Sequence, residues 1–294
     1  MPRGLSARYT ARVTYETVIS PEEAARHLHD TSWVFVDCRF DMRAPDQGHA
    51  DYAARHVAGA VYAHLDRDLT GPILAGVTGR HPLPEPAALE QTLGWLGIGA
   101  GTQVVTYDAS HGAMAASRLW WLLKWAGHEA VAVLDGGLRA WTEEGLPCGT
   151  GTESRPARKF NAAWRGELVL DAAQVLEIRE DPAWVLLDAR SGERFRGINE
   201  TIDPVAGHIA GAGSSPYTDS LRPDETFRPI SELAAMFAQR TGGRDPAHVA
   251  FYCGSGVTAA HAVLAAAYAG RGMARLYAGS WSEWITDPAR PVAR

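Results

Sequence analysis

Cys253 opens the run Cys253 Gly254 Ser255 Gly256 Val257 Thr258, set between the apolar stretch Val249 Ala250 Phe251 Tyr252 and an alanine-rich stretch through Ala259, Ala260, Ala262, Val263, Leu264 and Ala265. The first stretch reads as a short strand and the second as a helix. Cys253 is therefore expected at the C-terminal end of a strand, with a glycine-rich turn over it and a helix N-terminus aimed at it. Two glycines let the backbone bend so that several N–H groups point inward, and the helix start adds unpaired donors and partial positive charge. Such a cradle favours an anion, and for cysteine the anion is the nucleophilic thiolate. A cysteine in an apolar strand is often only a small core residue; the turn and helix entry weigh here for chemistry. Cys38 follows Trp33 Val34 Phe35 Val36 Asp37 and precedes Arg39 and Phe40, without a glycine loop, so it reads as strand-end packing. Cys148 lies among Pro, Gly and Thr and reads as a surface thiol.

The elements that would position this loop occur twice. Val34 Phe35 Val36 Asp37 Cys38 Arg39 corresponds to Val185 Leu186 Leu187 Asp188 Ala189 Arg190, and His56 Val57 Ala58 Gly59 Ala60 to His208 Ile209 Ala210 Gly211 Ala212. Val104 to Asp108 then corresponds to Val249 to Cys253, and Gly137 to Trp141 to Ser280 to Trp284. The spacing stays near roughly 150 residues, long enough for each copy to be a whole domain. The chain length of 294 residues agrees with two domains. Strands are expected at 33 to 37, 104 to 107 and 131 to 134, and again at 184 to 188, 249 to 252 and 274 to 277. Helices open at Ser20, with Pro21 in the first position, and at Asp171. This alternation predicts an α/β fold in which each half is a mostly parallel sheet flanked by helices. Ligands bind such sheets beyond the C-terminal strand ends, where Cys253 falls. The expected division is residues 1–147 for the first domain and 166–294 for the second, joined by 148–165 within a Gly-, Pro- and Thr-rich stretch from Gly145 to Arg165. Met1 to Tyr15 reads as an extended arm.

Composition narrows the function. A net charge of −6, from 28 basic and 34 acidic residues, provides no basic field for nucleic acid, and no Lys/Arg run suggests a membrane surface. The sequence lacks a long apolar span or an apolar leader, and three cysteines show no disulfide pattern; a cytoplasmic protein is expected. No Cys/His spacing suggests a metal site, and no cofactor is expected.

The tandem halves, the Cys253 to Thr258 loop, the two His-x-Ala-Gly-Ala turns, Asp135 Gly136 Gly137 Leu138 and the ending Tyr277 Ala278 Gly279 Ser280 Trp281 Ser282 Glu283 Trp284 resemble the two-domain rhodanese superfamily, in particular its 3-mercaptopyruvate and thiosulfate sulfurtransferases. The likeness runs from about residue 17 to residue 285. It implies an inactive first domain, with Asp108 where the second has Cys253. It also implies transfer of a sulfane sulfur from a small donor, through a Cys253 persulfide, to cyanide or a thiol. Gly254, Gly256, Val257 and Thr258 would cradle the anion, and Arg194 would hold the donor's carboxylate or sulfonate. The resemblance further places Ser255, His81 and Asp66 in a proton-transfer set. His56, His208 and Arg190 recur in both halves and read as structural.

Two features bear on the donor. No arginine stands in Asn199 to Gly207, where mercaptopyruvate members commonly carry a second one, and the loop has neutral Gly254 and Ser255 where thiosulfate members place Arg and Lys. Both donors are expected to work, with mercaptopyruvate favoured. A Cys-x5-Arg phosphatase loop is excluded, because the sixth residue after Cys253 is Ala259. A thiol or cyanide acceptor, or a thioredoxin-like protein, would complete the cycle. The non-enzymatic alternative is a persulfide carrier or redox sensor that loads once for a protein partner.

Overall fold

In the computed structural model, residues 14 to 109 and 111 to 294 are described. Most of the expected arm, Met1 to Val13, lies outside them; Tyr15 is anchored, its ring 5.6 Å from Trp33 and its amide bonded to Gln103.

Each half contains one five-stranded parallel sheet. In the first the order across the sheet is Val18–Ile19, Val131–Leu134, Gln103–Tyr107, Trp33–Asp37, Val61–Tyr62. In the second it is Val169–Leu170, Arg275–Tyr277, Val249–Tyr252, Val185–Asp188, Gly213–Ser214. The two orders are the same, strand for strand. The six central strands coincide with the expected ones within a residue at each end. They are legible because a parallel strand buried on both faces is apolar throughout. The outer strands of two residues each carry no such pattern.

Helix starts follow side-chain capping. The Ser20 side chain accepts from the Glu23 amide, with Pro21 in the first turn, and Asp171 forms a reciprocal capping box with Gln174. The segment after the first domain is more ordered than its composition suggests. Cys148–Gly149 pairs antiparallel with His56–Val57, just as Val292–Ala293 pairs with His208–Ile209. Cys148 is thus a half-buried strand residue packed against the first-half core, rather than a surface thiol in an open linker. From there the chain follows the first half, with Arg158 bonded to Gly94, Ala163 to Ala126, and Phe160 buried.

Strand parity decides where the chemistry lies. Along Val249–Tyr252, Ala250 and Tyr252 point to an outer cluster with Trp281 and Trp284, whereas Val249, Phe251 and then Cys253 point to the other face. That face belongs to a single buried cluster spanning both halves. In it the helices Ala115–Trp125 and Thr258–Tyr268 pack on each other, and Leu119, Leu122, Val263 and Leu264 belong to the shared cluster. Burying each such side chain contributes about 1.5–3 kcal/mol, so the halves are held as one unit and Cys253 faces the seam.

Candidate active site

Cys253 is 2% exposed and is one of three free cysteines. Its backbone is pinned on both sides: its amide donates to Ser280 Oγ at 3.1 Å, and its carbonyl accepts from the Trp281 amide at 3.0 Å. The Gly256 amide donates to Cys253 Sγ at 3.2 Å. Gly256 has a φ of +77°, and a Cβ there would collide with the Ala278 carbonyl, so only glycine turns the chain to aim that amide at the sulfur. Among the described residues this is the loop amide in hydrogen-bonding geometry with the thiol. Val257 precedes the helix Thr258–Tyr268, and no side chain caps its start, which leaves the first-turn amides facing the loop. Thr258 and Val257 line the adjoining cavity of about 110 Å³.

In the first half Asp108 stands at the equivalent strand end, and its connection to the following helix, Ala115–Trp125, is two residues longer than that from Cys253 to Thr258. The Asp108 carboxyl accepts from the amides of Gly112 at 2.8 Å and Met114 at 3.1 Å, while its burial pushes it above the ordinary carboxylate range.

Three residues named from the sequence converge across the seam. Ser255 Oγ lies 2.8 Å from His81 Nδ1, and His81 Nε2 lies 3.3 Å from Asp66 Oδ1. His81 arrives on Gly79 Arg80 His81, which is drawn onto the second half. A Cβ on Gly79 would come 2.5 Å from the Gly279 carbonyl oxygen and 2.7 Å from Ser282 Oγ, and the Arg80 amide donates to Ser282 Oγ at 3.0 Å. Asp66 lies in the short helix Leu65–Asp68, whose start is capped by His64 Nδ1. Burial, aided by Arg118 and Arg80, pushes the His81 imidazole down to about 3, so it is neutral at physiological pH. A carboxylate facing Nε2 favours the proton on that nitrogen, which leaves Nδ1 to accept from the serine hydroxyl. Burial raises the Asp66 carboxyl above its ordinary range, although its side chain is 41% exposed.

Arg194 also reaches the cavity, from the helix Gly192–Phe195. Its Nε donates to Glu200 at 2.9 Å and its Nη2 to Asp203 at 2.8 Å. Arg190 makes a two-pronged pair with Asp188 and bonds the Gly207 carbonyl, as Arg39 does with Asp37 and the Arg55 carbonyl in the first half. The recurrence marks a structural clamp. His56 and His208 likewise hold main-chain carbonyls, those of Tyr52 and Phe195.

Two further arginines belong to the site and were not given roles from the sequence. Arg118, fully buried in the helix Ala115–Trp125, donates to the carbonyls of His81 and Pro82 at 3.1 Å each, and its Nη1 lies 3.4 Å from the Gly256 carbonyl. Burial brings its guanidinium down to about 10, while nearby Cys253 acts in the opposite sense. Its signal was a lone arginine inside the apolar run Ala115 to Leu123. Arg80 pairs with Asp203 and lines the cavity beside Arg194.

The family model for the rhodanese-like domain matches twice, over residues 20–144 and 171–287. A Pseudomonas aeruginosa protein named as a probable 3-mercaptopyruvate sulfurtransferase is 46% identical over 94% of this chain and 97% of its own length. The chain belongs to the two-domain rhodanese sulfurtransferases. A mouse thiosulfate sulfurtransferase is 35% identical over 93% of each chain. The structure of a 3-mercaptopyruvate sulfurtransferase from Leishmania major superposes with a TM-score of 0.81 at 32% identity, covering 92% of this chain and 74% of that one. Among the described residues no group of His, Cys, Asp or Glu is arranged to hold a metal ion, and no helix is long and apolar enough to cross a membrane.

Proposed function

We propose that Cys253 is the nucleophile of this sulfurtransferase and that its donor is 3-mercaptopyruvate, with thiosulfate as a slower second donor. The observation that carries the reading is the convergence of Cys253, Ser255 and His81 on one small cavity, with the Gly256 amide on the Cys253 sulfur and Asp66 behind the His81 ring. Only donors of a few heavy atoms fit such a space.

The Cys253 thiolate attacks the thiol sulfur of mercaptopyruvate. An S–S bond forms, the C–S bond breaks, and its electron pair passes to the methylene carbon as the enolate of pyruvate. The proton of the donor thiol must then reach that carbon, leaving pyruvate and the Cys253 persulfide anion. Ser255 is placed to relay this proton, with neutral His81 as its acceptor and Asp66 orienting the ring. The Gly254 to Thr258 loop, with Val257 and Thr258 at the helix start, stabilises first the thiolate and then the persulfide. Arg194 holds the donor carboxylate. Thiosulfate reacts at the same sulfur by expelling sulfite, with no proton to move.

A thiol, cyanide or a thioredoxin-like protein then removes the outer sulfur. We assign the chain to the cytoplasm on its free thiols, with no nucleic-acid or membrane partner, and divide it at 1–147 and 166–294 with 148–165 as the connection.

The test is the intact mass of the protein after brief exposure to each donor, with peptide mapping, for wild type and Cys253→Ser. One added sulfur on Cys253, formed faster from mercaptopyruvate and turned over by a thiol, is the expected result. Sulfur on Cys38 or Cys148 would overturn the assignment. Loading without turnover by small acceptors would make the protein a carrier.

A further inference from the structure

A second cavity adjoins the one that holds Cys253. It measures about 380 Å³ against about 110 Å³, is lined by first-half residues alone, and shares Phe40, Met42 and Met114 with its neighbour. These three side chains therefore form the partition between the two spaces. Methionine is unbranched and adaptable, so two of the three can shift to let a narrow group through. Met42 is 44% exposed and Met114 is only partly buried, which leaves them room to do so.

The two spaces differ in charge. The charged residues lining the Cys253 cavity are Arg80 and Arg194, with no carboxylate among the lining residues. The adjoining cavity is lined by Arg39 and Arg43 and also by Asp41 and Asp51. Arg39 is committed to Asp37 and to the Arg55 carbonyl. The Arg43 guanidinium has no hydrogen bond or ion pair among the described residues; only its amide is engaged, donating to Asp41 Oδ1 at 2.8 Å. Asp51 Oδ1 accepts from Gln47 Nε2 at 2.7 Å, so Asp41 and Asp51 each keep one oxygen without a donor among the described residues. One free cation and two half-free carboxylates thus stand around an apolar partition. That pattern matches a zwitterion, its carboxylate on Arg43 and its ammonium on the aspartates. The same ammonium would be repelled by the cationic lining of the Cys253 cavity.

We propose that this second cavity is the acceptor site, and that it selects a thiol carrying both an α-ammonium and a carboxylate, as an amino acid or a short peptide does. This rests on the reading that Cys253 becomes a persulfide. A space of about 380 Å³ falls in the usual range for a bound small molecule, whereas the Cys253 cavity of about 110 Å³ does not, least of all once it holds the outer sulfur. The acceptor's charged ends stay with Arg43, Asp41 and Asp51 while its thiol passes the partition of Met42 and Met114. Its sulfur bonds to the outer sulfur of the persulfide, the bond from that sulfur to Cys253 Sγ breaks, and the electron pair returns to Sγ as thiolate. The acceptor's proton leaves with the transferred sulfur, and no other oxidant or reductant enters.

The experiment measures kcat/KM for the acceptor, which in a ping-pong cycle reports the second half-reaction alone, on the full chain with mercaptopyruvate as donor. Cyanide, L-cysteine, glutathione, cysteamine and 3-mercaptopropionate are compared for wild type, Arg43→Ala and the double variant Asp41→Asn, Asp51→Asn, each value taken relative to wild type with the same acceptor. All three positions are exposed, so the variants should fold. Arg43→Ala should lower the value roughly three- to tenfold for acceptors with a carboxylate and leave cysteamine and cyanide within about twofold. The double variant should lower it by a similar factor for acceptors with an ammonium and spare 3-mercaptopropionate and cyanide. Losses with cysteine and glutathione alike assign an amino-acid thiol, and losses confined to glutathione assign a peptide. Values within about twofold of wild type for every acceptor would overturn the assignment. Equal losses for every acceptor, cyanide included, would reduce these residues to a structural role. Failure of wild type to load sulfur on Cys253, or to turn over with cyanide, would instead sink the reading beneath it.

Discussion

Ser255 Oγ and His81 Nδ1 lie 2.8 Å apart although 174 residues separate them in the chain. The contact joins the Cys253 loop of one half to a segment of the other half. Because the imidazole is neutral and its far nitrogen faces Asp66, it can draw the serine proton toward itself and leave the Ser255 oxygen free to take a proton from the donor thiol.

Proton transfer is required with mercaptopyruvate and not with thiosulfate, and this separates the set from general scaffolding. Ser255→Ala and His81→Asn are each expected to lower kcat for mercaptopyruvate by about 10²–10⁴-fold. Loading from thiosulfate should fall far less. Asp66→Asn, at a more exposed position, should cost only several-fold. Single-turnover persulfide formation with the two donors measures the contrast; equal losses with both would show the set to be structural.

Arg118 is expected to matter by holding the segment that carries His81. Buried at the seam, it donates to the carbonyls of His81 and Pro82 and approaches that of Gly256. Arg118→Met should lower kcat for mercaptopyruvate by roughly tenfold or more and loading from thiosulfate less, since the segment that brings His81 to Ser255 loses the donor that holds it. It should also destabilise the fold by about 3–5 kcal/mol or less, because the carbonyls lose their donor. Equal losses with the two donors in a folded variant would confine Arg118 to a structural role.

The loop around Cys253 was legible in the sequence because everything that shapes it is local: a strand that ends, a glycine that turns, a helix that begins. The six central strands were legible for the same reason, their apolar runs matching burial on both faces. His81 and Asp66 were reached through family resemblance, since no local pattern ties Gly79 Arg80 His81 to Ser255. Arg80, Arg118 and Asp203 were missed as site residues because their meaning depends on how two domains pack. Arg118 did leave a trace, a charged residue in an otherwise apolar helix, and such a residue must find carbonyls or anions when buried. Cys148 was misplaced for a simpler cause: a two-residue strand in a Gly- and Pro-rich segment has no periodicity to read.

Acid should unfold this protein earlier than its carboxylates alone would require. His81 and His261 are both held to about 3 by burial, and neither ring nitrogen of His261 has a partner, although the ring stacks on Phe227 at 4.9 Å. The unfolded chain binds a proton on each near pH 6.5, whereas the folded chain refuses it until about 3. The folded pKa values are lowered, so the unfolded state gains protons first as pH falls. Stability is full above about 6.5 and declines continuously from there toward 3, with a slope approaching two protons from this pair. His261→Leu, close in volume, should remove one proton from that slope and stabilise the fold at pH 5 by about 1–3 kcal/mol, as an unsatisfied buried group is deleted. Urea denaturation of wild type and variant at pH 7.5, 6 and 5 measures both effects. A variant whose stability falls with pH as steeply as the wild type's would mean that His261 is protonated in the native state, paired with an anion that its buried ring nitrogens do not have in this structure.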